Sequence, residues 1–186
     1  MNPIDYQERM LEQIQYVIDS SSLIEPSRHY YDMGIFPCYW KWMLKRFQDR
    51  SFIILDEVFE ELSNINDSLL DWTKQLKPFL VKKDNRILDS YRFTLKYIKG
   101  LSSSNKPLYE ENAFNEFAQD ADPWLIAYAR SNKNICIVTE ETPDFQKKKT
   151  RIKIPDICTV MNLKYKKLEE VLKLFHPVFD CDDFDK

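Results

Sequence analysis

Seven carboxylates stand where they could do chemistry: Asp19, Glu60, Glu61, Asp120, Asp122, Glu140 and Glu141. Asp19 follows directly on the apolar run Tyr16-Val17-Ile18. Glu60 and Glu61 lie on the helix expected just after Phe52-Ile53-Ile54-Leu55. Asp120 and Asp122 sit at a helix start, and Glu140 and Glu141 follow the apolar run Asn134 to Val138. If these apolar runs are strands of one parallel sheet, every acidic group falls near the same sheet edge. Crowded carboxylates repel one another and are tolerated only where a cation or a proton compensates the charge. Mg²⁺ and Mn²⁺ are hard ions that take oxygen ligands, so a few carboxylates plus water suit them. With a phosphate as the remaining ligand, such a site is built for phosphodiester hydrolysis. Taken singly, an acid at a helix start is more often a cap or a macrodipole partner, worth about 0.5–2 kcal/mol. Acids from four segments at one edge favour the metal reading.

Other chemistries find less support. Gly34 and Gly100 are the only glycines, so no glycine-rich cradle for a nucleotide phosphate is present. His29 and His176 are the only histidines and are expected at the surface. A serine triad lacks its nucleophile-elbow motif, and an aspartyl-phosphate scheme wants an acid where Ser21 stands. Cys38, Cys136, Cys158 and Cys181 form no Cys-x-x-Cys pair and are expected as reduced thiols in a reducing cytosol. A net charge of −3 gives no global attraction to nucleic acid. Such binding would rest on local cations, foremost Lys147, Lys148, Lys149, Arg151 and Lys153 in the run Gln146 to Lys153. That run reads equally as a grip on RNA phosphates beside the acids or as a solvated loop. No secretory segment opens the chain and no apolar run reaches membrane-helix length, so a soluble cytoplasmic protein with no membrane partner is expected.

The elements that must position the acids follow from pattern. Residues 1–15 read as an amphipathic helical extension, 16–176 as one domain, and 177–186 as an acidic tail. Tyr16 to Ile18, Phe52 to Leu55 and Asn134 to Val138 read as short buried strands, with a fourth starting near Leu163. Helices are expected over Cys38 to Phe47, after Asp56, over Leu69 to Leu80, over Ile87 to Leu101, and over Glu110 to Ser131. The last of these breaks at Asp120-Ala121-Asp122-Pro123, where proline suits a new first turn. A further short helix begins at Pro155, with Asp156 as its cap, and another covers Lys166 to Phe175. Strands alternating with helices predict an α/β fold, a short parallel sheet covered on both faces. Its ligand site belongs beyond the carboxyl ends of the strands. Trp40, Trp42, Met43, Phe47 and Trp124 are expected to pack.

At these residues the chain resembles the PIN-domain nucleases, in particular VapC-like toxins. Tyr16-Val17-Ile18-Asp19-Ser20-Ser21 is similar to the family's opening strand, Asp and Ser/Thr. Val58-Phe59-Glu60-Glu61-Leu62 resembles its second motif, with Glu61 in the acidic position. Asp122-Pro123-Trp124-Leu125-Ile126-Ala127-Tyr128-Ala129 resembles its third, and Ile137-Val138-Thr139-Glu140-Glu141 its last. Phe36-Pro37-x-x-Trp40, Asp122-Pro123-Trp124 and Lys153-Ile154-Pro155-Asp156-Ile157-Cys158 look like a subgroup, the domain of unknown function 4411. The resemblance implies a PIN-like three-layer α/β/α domain with inserted helices between Leu69 and Leu101. It implies Mg²⁺ or Mn²⁺ held by Asp19, Glu61 and Asp122, with Glu141 completing the site directly or through water. Ser21 and Thr139 would orient those carboxylates, or serve only as turn and cap hydroxyls. The implied activity is a metal-dependent endoribonuclease cutting tRNA or rRNA to leave 5′-phosphate ends. It would be the toxin of a type II toxin–antitoxin pair, with a protein antitoxin and a homodimeric state as expected partners. The alternative is a catalytically inactive PIN-like module that binds RNA or protein.

Overall fold

A computed structural model describes residues 14–102, 108–145 and 149–179. The expected helical extension therefore lies outside the described residues up to position 13, and so do tail residues 180–186 and Lys147 and Lys148. The strands are β1 (Gln15–Ile18), β2 (Phe52–Ile53), β3 (Ile135–Val138) and β4 (Lys164–Lys166). They form one all-parallel sheet in the order β2-β1-β3-β4, flanked by helices in an α/β arrangement. Tyr16, Val17, Ile18 and all of β3 are buried, as expected of central parallel strands covered on both faces. The edge strand Lys164-Tyr165-Lys166 is short and charged, which discourages pairing with another chain.

Register decides where the chemistry gathers. Ile18 pairs with Val138, and Val138 with Lys166. The ladder continues one step past the strands: the Asp19 N–H donates to Val138 O at 2.9 Å, and the Thr139 N–H to Lys166 O at 3.1 Å. Asp19 and Thr139 thus emerge side by side from the two central strands. The chain leaves β1 towards β2 on one side, whereas β3 leads to β4 on the other. The switch point of the sheet, where ligands bind in such folds, lies between β1 and β3 at their carboxyl ends.

The helices are α1 (Ser21–His29), α2 (Pro37–Gln48), α3 (Asp56–Ser63), α4 (Leu69–Thr73), α5 (Asn85–Ser102), α6 (Glu111–Phe117), α7 (Asp122–Ser131), α8 (Ile154–Met161) and α9 (Leu168–Phe175). Leu69 to Leu80 is not one α-helix. After Thr73 the chain tightens into a 3₁₀-helix, Lys74–Phe79, that carries Pro78. A proline there has no N–H to donate and its ring crowds the preceding turn, so the α-helix cannot run through. The chain then extends, and Leu80 bridges to Ile54 just past the end of β2. The break before α7 falls as expected, with Pro123 in the first turn. Leu125, Ile126 and Ala129 bury one side of α7, and the inserted helix α5 packs along it.

Trp40, Met43 and Phe47 of α2 are buried and Trp42 is partly so, joining Phe52, Trp72 and Phe175 in edge-to-face contacts. Phe179 packs against Tyr39 and Trp42, so the docked chain reaches three residues into the segment expected as tail. Cys136 and Cys158 are buried thiols whose pKa values burial pushes up to about 11 and about 12. His29 is paired with Glu25 at the surface. Among the described residues no helix is long and apolar enough to cross a membrane.

Candidate metal centre

Asp19 is the innermost acid, 4% exposed at the end of β1. Its Oδ2 accepts from Ser21 Oγ at 2.5 Å and Thr139 Oγ1 at 2.8 Å. Those hydroxyls are held in turn: the Glu140 N–H donates to Ser21 Oγ, and the Glu141 N–H to Thr139 Oγ1. Both hydroxyls therefore fix one oxygen of Asp19, and Ser20 Oγ lies 3.5 Å from Oδ1. Burial raises the Asp19 pKa, and the Ser21, Thr139 and Ser20 hydrogen bonds work against that rise.

Glu61 arrives from α3 and Asp122 from the first turn of α7. The two helices meet where Glu61 Oε1 accepts the Ala121 N–H at 3.0 Å. Glu141 reaches in from the loop after β3, with its Oε2 accepting the Ile154 N–H at the start of α8 at 2.8 Å. Burial is the largest cause raising both glutamates; the negative charge of Asp19 adds to the rise in each, and Asp120 adds to that of Glu61. Asp122 is pushed well above the usual carboxylate range by burial, then by the charges of Asp19, Glu141, Glu61 and Asp120. It is the side chain on which the other acids converge.

Asp19, Glu61, Asp122 and Glu141 thus face one region beyond the β1–β3 edge. Glu140 turns away: its Oε1 accepts the Leu168 N–H and so caps α9, and its carboxylate pairs with Lys167. Glu60 is exposed, and Asp120 stands at the rim. Among the described residues, no three Asp, Glu, His or Cys side chains are already drawn in as a ready metal-ligand set. Three of the four carboxylates commit one oxygen to the protein, as described, and their other oxygens are the donors a cation would take. The donor set fits Mg²⁺ or Mn²⁺: hard oxygens only, mutually repelling, and partly withdrawn from water.

Among the cations, Lys153 and Arg151 lie near enough to Glu141 to offset part of the rise that burial gives its pKa, and Arg151 acts likewise on Asp120. Arg151 also lines a small cleft with Glu116, Phe117 and Asp120. Lys149 is a correction to the expected RNA grip. It is only 8% exposed, and its Nζ pairs at 2.8 Å with Asp156 Oδ2. Asp156 is accordingly no helix cap; its Oδ1 accepts the Asp144 N–H, which ties the loop after Glu141 to α8. An ammonium already desolvated against a carboxylate is not available to a phosphate. Arg46 is likewise engaged, paired with Asp49 and lying over Trp42 and Phe175.

Ser20 was not singled out from sequence. Its hydroxyl reaches Asp19 and offsets part of the rise in the Glu61 pKa, and its place between a strand-end acid and a helix was the available signal. The Ala121 and Ile154 amides had none, because backbone donors leave no trace in side-chain type. Thr139→Val should keep the fold and weaken Mn²⁺ binding by about tenfold, the usual scale for losing a partner of a metal ligand. A lost hydrogen bond to the ionised form also lets the Asp19 pKa climb further, so the variant's binding curve should move to higher pH. Mn²⁺ titration at several pH values would check both; an unmoved curve would mean that Thr139 does not orient Asp19.

The family model described as Domain of unknown function (DUF4411) matches residues 16–176. No curated protein matches the chain, and no solved structure does.

Proposed function

We propose that this chain, which belongs to the DUF4411 family, is a Mg²⁺- or Mn²⁺-dependent endoribonuclease of the PIN type. The observation that carries this is the gathering of Asp19, Glu61, Asp122 and Glu141, four carboxylates from separate segments, at the switch point of the sheet, where burial raises all four and neighbouring negative charge adds to the rise of Glu61, Asp122 and Glu141. A fold bears such repulsion without benefit unless a cation relieves it, which also weighs against an inactive binding module.

When bound, the metal supplies Lewis acidity and lowers the pKa of a water. Asp19 is the fixed anchor, locked by Ser21 and Thr139. Glu61 and Asp122 approach from α3 and α7, and Glu141 closes the side that faces the loop. The reaction is hydrolysis: the water oxygen bonds to phosphorus in line, the bond from phosphorus to the 3′ oxygen breaks, and the departing oxygen takes a proton. The ends left are 5′-phosphate and 3′-hydroxyl. Arg151 and Lys153 would take flanking phosphates, as would Lys147 and Lys148 of the same run. The resemblance to VapC-like toxins extends the proposal to a cytoplasmic toxin that cuts tRNA or rRNA. In that role the chain has a protein antitoxin and forms a homodimer.

The test is incubation of purified protein with total tRNA and rRNA in Mg²⁺, in Mn²⁺ and in chelator. Discrete fragments with 5′-phosphate ends, absent in chelator, are expected; cutting that survives chelation would contradict the reading. The basic residues make their own prediction. Arg151→Ala should weaken RNA binding across sequences and lower the slope of log affinity against log salt by about 1, the share of one phosphate contact. An unchanged slope would remove Arg151 from the RNA path.

A further inference from the structure

Lys83 lies outside the acidic cluster yet touches both helices that deliver its ligands. Its Nζ is 3.1 Å from Asp56 Oδ2 and also pairs with Glu57. Both acids lie in the first turn of α3, and Glu57 precedes Glu61 by four residues, about 6 Å along the same helix face. The same ammonium sits 4.3 Å from the centroid of the Trp124 ring, in the first turn of α7, two residues past Asp122. Trp124 in turn stacks on Tyr91 of the inserted helix α5, with centroids 3.7 Å apart and planes 13° from parallel. One charge therefore ties α3, α7 and α5 together.

The cluster is not an ordinary surface ion pair. Lys83 and Glu57 side chains are 28% and 17% exposed, with Asp56 at the open side of the cluster at 43%. Glu57 is pushed up to about 7, by burial first and then by its hydrogen bond with Asp56, while Lys83 opposes the rise; Tyr91 is the other titratable group facing it. Partly withdrawing Lys83 and Glu57 from water offsets much of what the pairing returns. What the arrangement secures is geometry. Without Lys83 the remaining tie described between α3 and α7 at the site is the Ala121 N–H on Glu61, and Glu61 is itself needed as a ligand.

We propose that Lys83 is a positioning residue that sets the separation of Glu61 and Asp122 by clamping the first turns of α3 and α7 through Asp56, Glu57 and Trp124. This rests on the metal-site reading of those two carboxylates. The role joins the inserted segment to the chemistry: residues 74–102 are not an appendage, since they bring Lys83 and Tyr91 to the back of the site.

The test compares K83M, K83R and wild type for Mn²⁺ affinity by paramagnetic resonance, for RNA cleavage and for thermal unfolding. K83M should bind Mn²⁺ about tenfold more weakly, the low end of what loss of support around metal ligands costs, and its kcat should fall while KM for RNA holds. K83R, which keeps the charge, should recover most of both. If K83M does not fold, E57Q carries the test, because it removes one of the paired charges at constant volume; its Mn²⁺ affinity should drop several-fold. Wild-type affinity and kcat in K83M, or in E57Q where K83M fails, would overturn the positioning role alone. Failure of the wild type to bind Mn²⁺ would overturn the metal site and this role together.

Discussion

Asp122→Asn is expected to abolish metal-dependent cleavage, by more than about a hundredfold, while making the metal-free protein more stable. The first part follows from losing a ligand, which costs more than losing an outer-shell partner. The second follows from linkage. In the unfolded chain the Asp122 carboxyl ionises at the ordinary carboxylate pH; in the folded protein burial and the surrounding acids hold its proton to higher pH. Between those two values the folded state binds more protons than the unfolded state, so stability falls as pH rises through that window and stays lower above it. Asparagine cannot ionise and escapes that loss. Melting temperatures of the metal-free proteins should therefore coincide near pH 4 and separate at neutral pH, by about 2–4 °C for each kcal/mol of repulsion relieved. A variant that melts lower than wild type at pH 7.5 in chelator would show that Asp122 does not stand in a field of like charge.

Lys149→Met is expected to have a comparably large effect of the opposite kind, on the fold and not on RNA. The Lys149–Asp156 pair is almost wholly withdrawn from water, with side-chain exposures of 11% and 6%. Removing one partner of such a pair leaves a buried uncompensated charge and costs about 3–5 kcal/mol, whereas replacing both by apolar residues is often neutral or favourable. Urea unfolding should show that loss in Lys149→Met and its recovery in the Lys149→Met, Asp156→Leu double variant. The salt dependence of RNA binding should not change in the double variant, since Lys149 makes no phosphate contact. Unaltered stability in the single variant, or a slope lowered by about 1 in the double variant, would return Lys149 to the RNA-binding surface.

The contrast between these two residues shows what was legible before the fold was known. Asp19 could be placed because an acid closing a buried apolar run has one position in a parallel sheet, its carboxyl edge. Asp122 could be placed because Pro123 forces a first turn at that point. Both depend on local rules, and the sheet order then brought them together. Lys149 could not be placed, because in a run of lysines only a partner on another element distinguishes the buried one, and Asp156 sits seven residues on in α8. The one-helix expectation over Leu69 to Leu80 failed for a local reason that was visible in Pro78. The Lys83 clamp was invisible for a different reason. Asp56, Trp124 and Tyr91 lie at sequence separations of 27, 41 and 8 from it, and no periodicity links them.

Like charges keep the acids apart, and the Ser21, Thr139, Ala121 and Ile154 donors hold three of them from behind. Those donors also mean that a cation meets carboxylates whose orientation is largely set.

The most direct test is therefore Mn²⁺ binding to the purified protein, followed by paramagnetic resonance as metal is titrated in at pH 7.5. The account predicts saturable binding in the wild type that Asp122→Asn and Asp19→Asn each weaken by more than about a hundredfold, with the variants still folded. Wild-type protein that fails to bind Mn²⁺, or variants that bind it as the wild type does, would contradict the metal centre and with it the proposed nuclease.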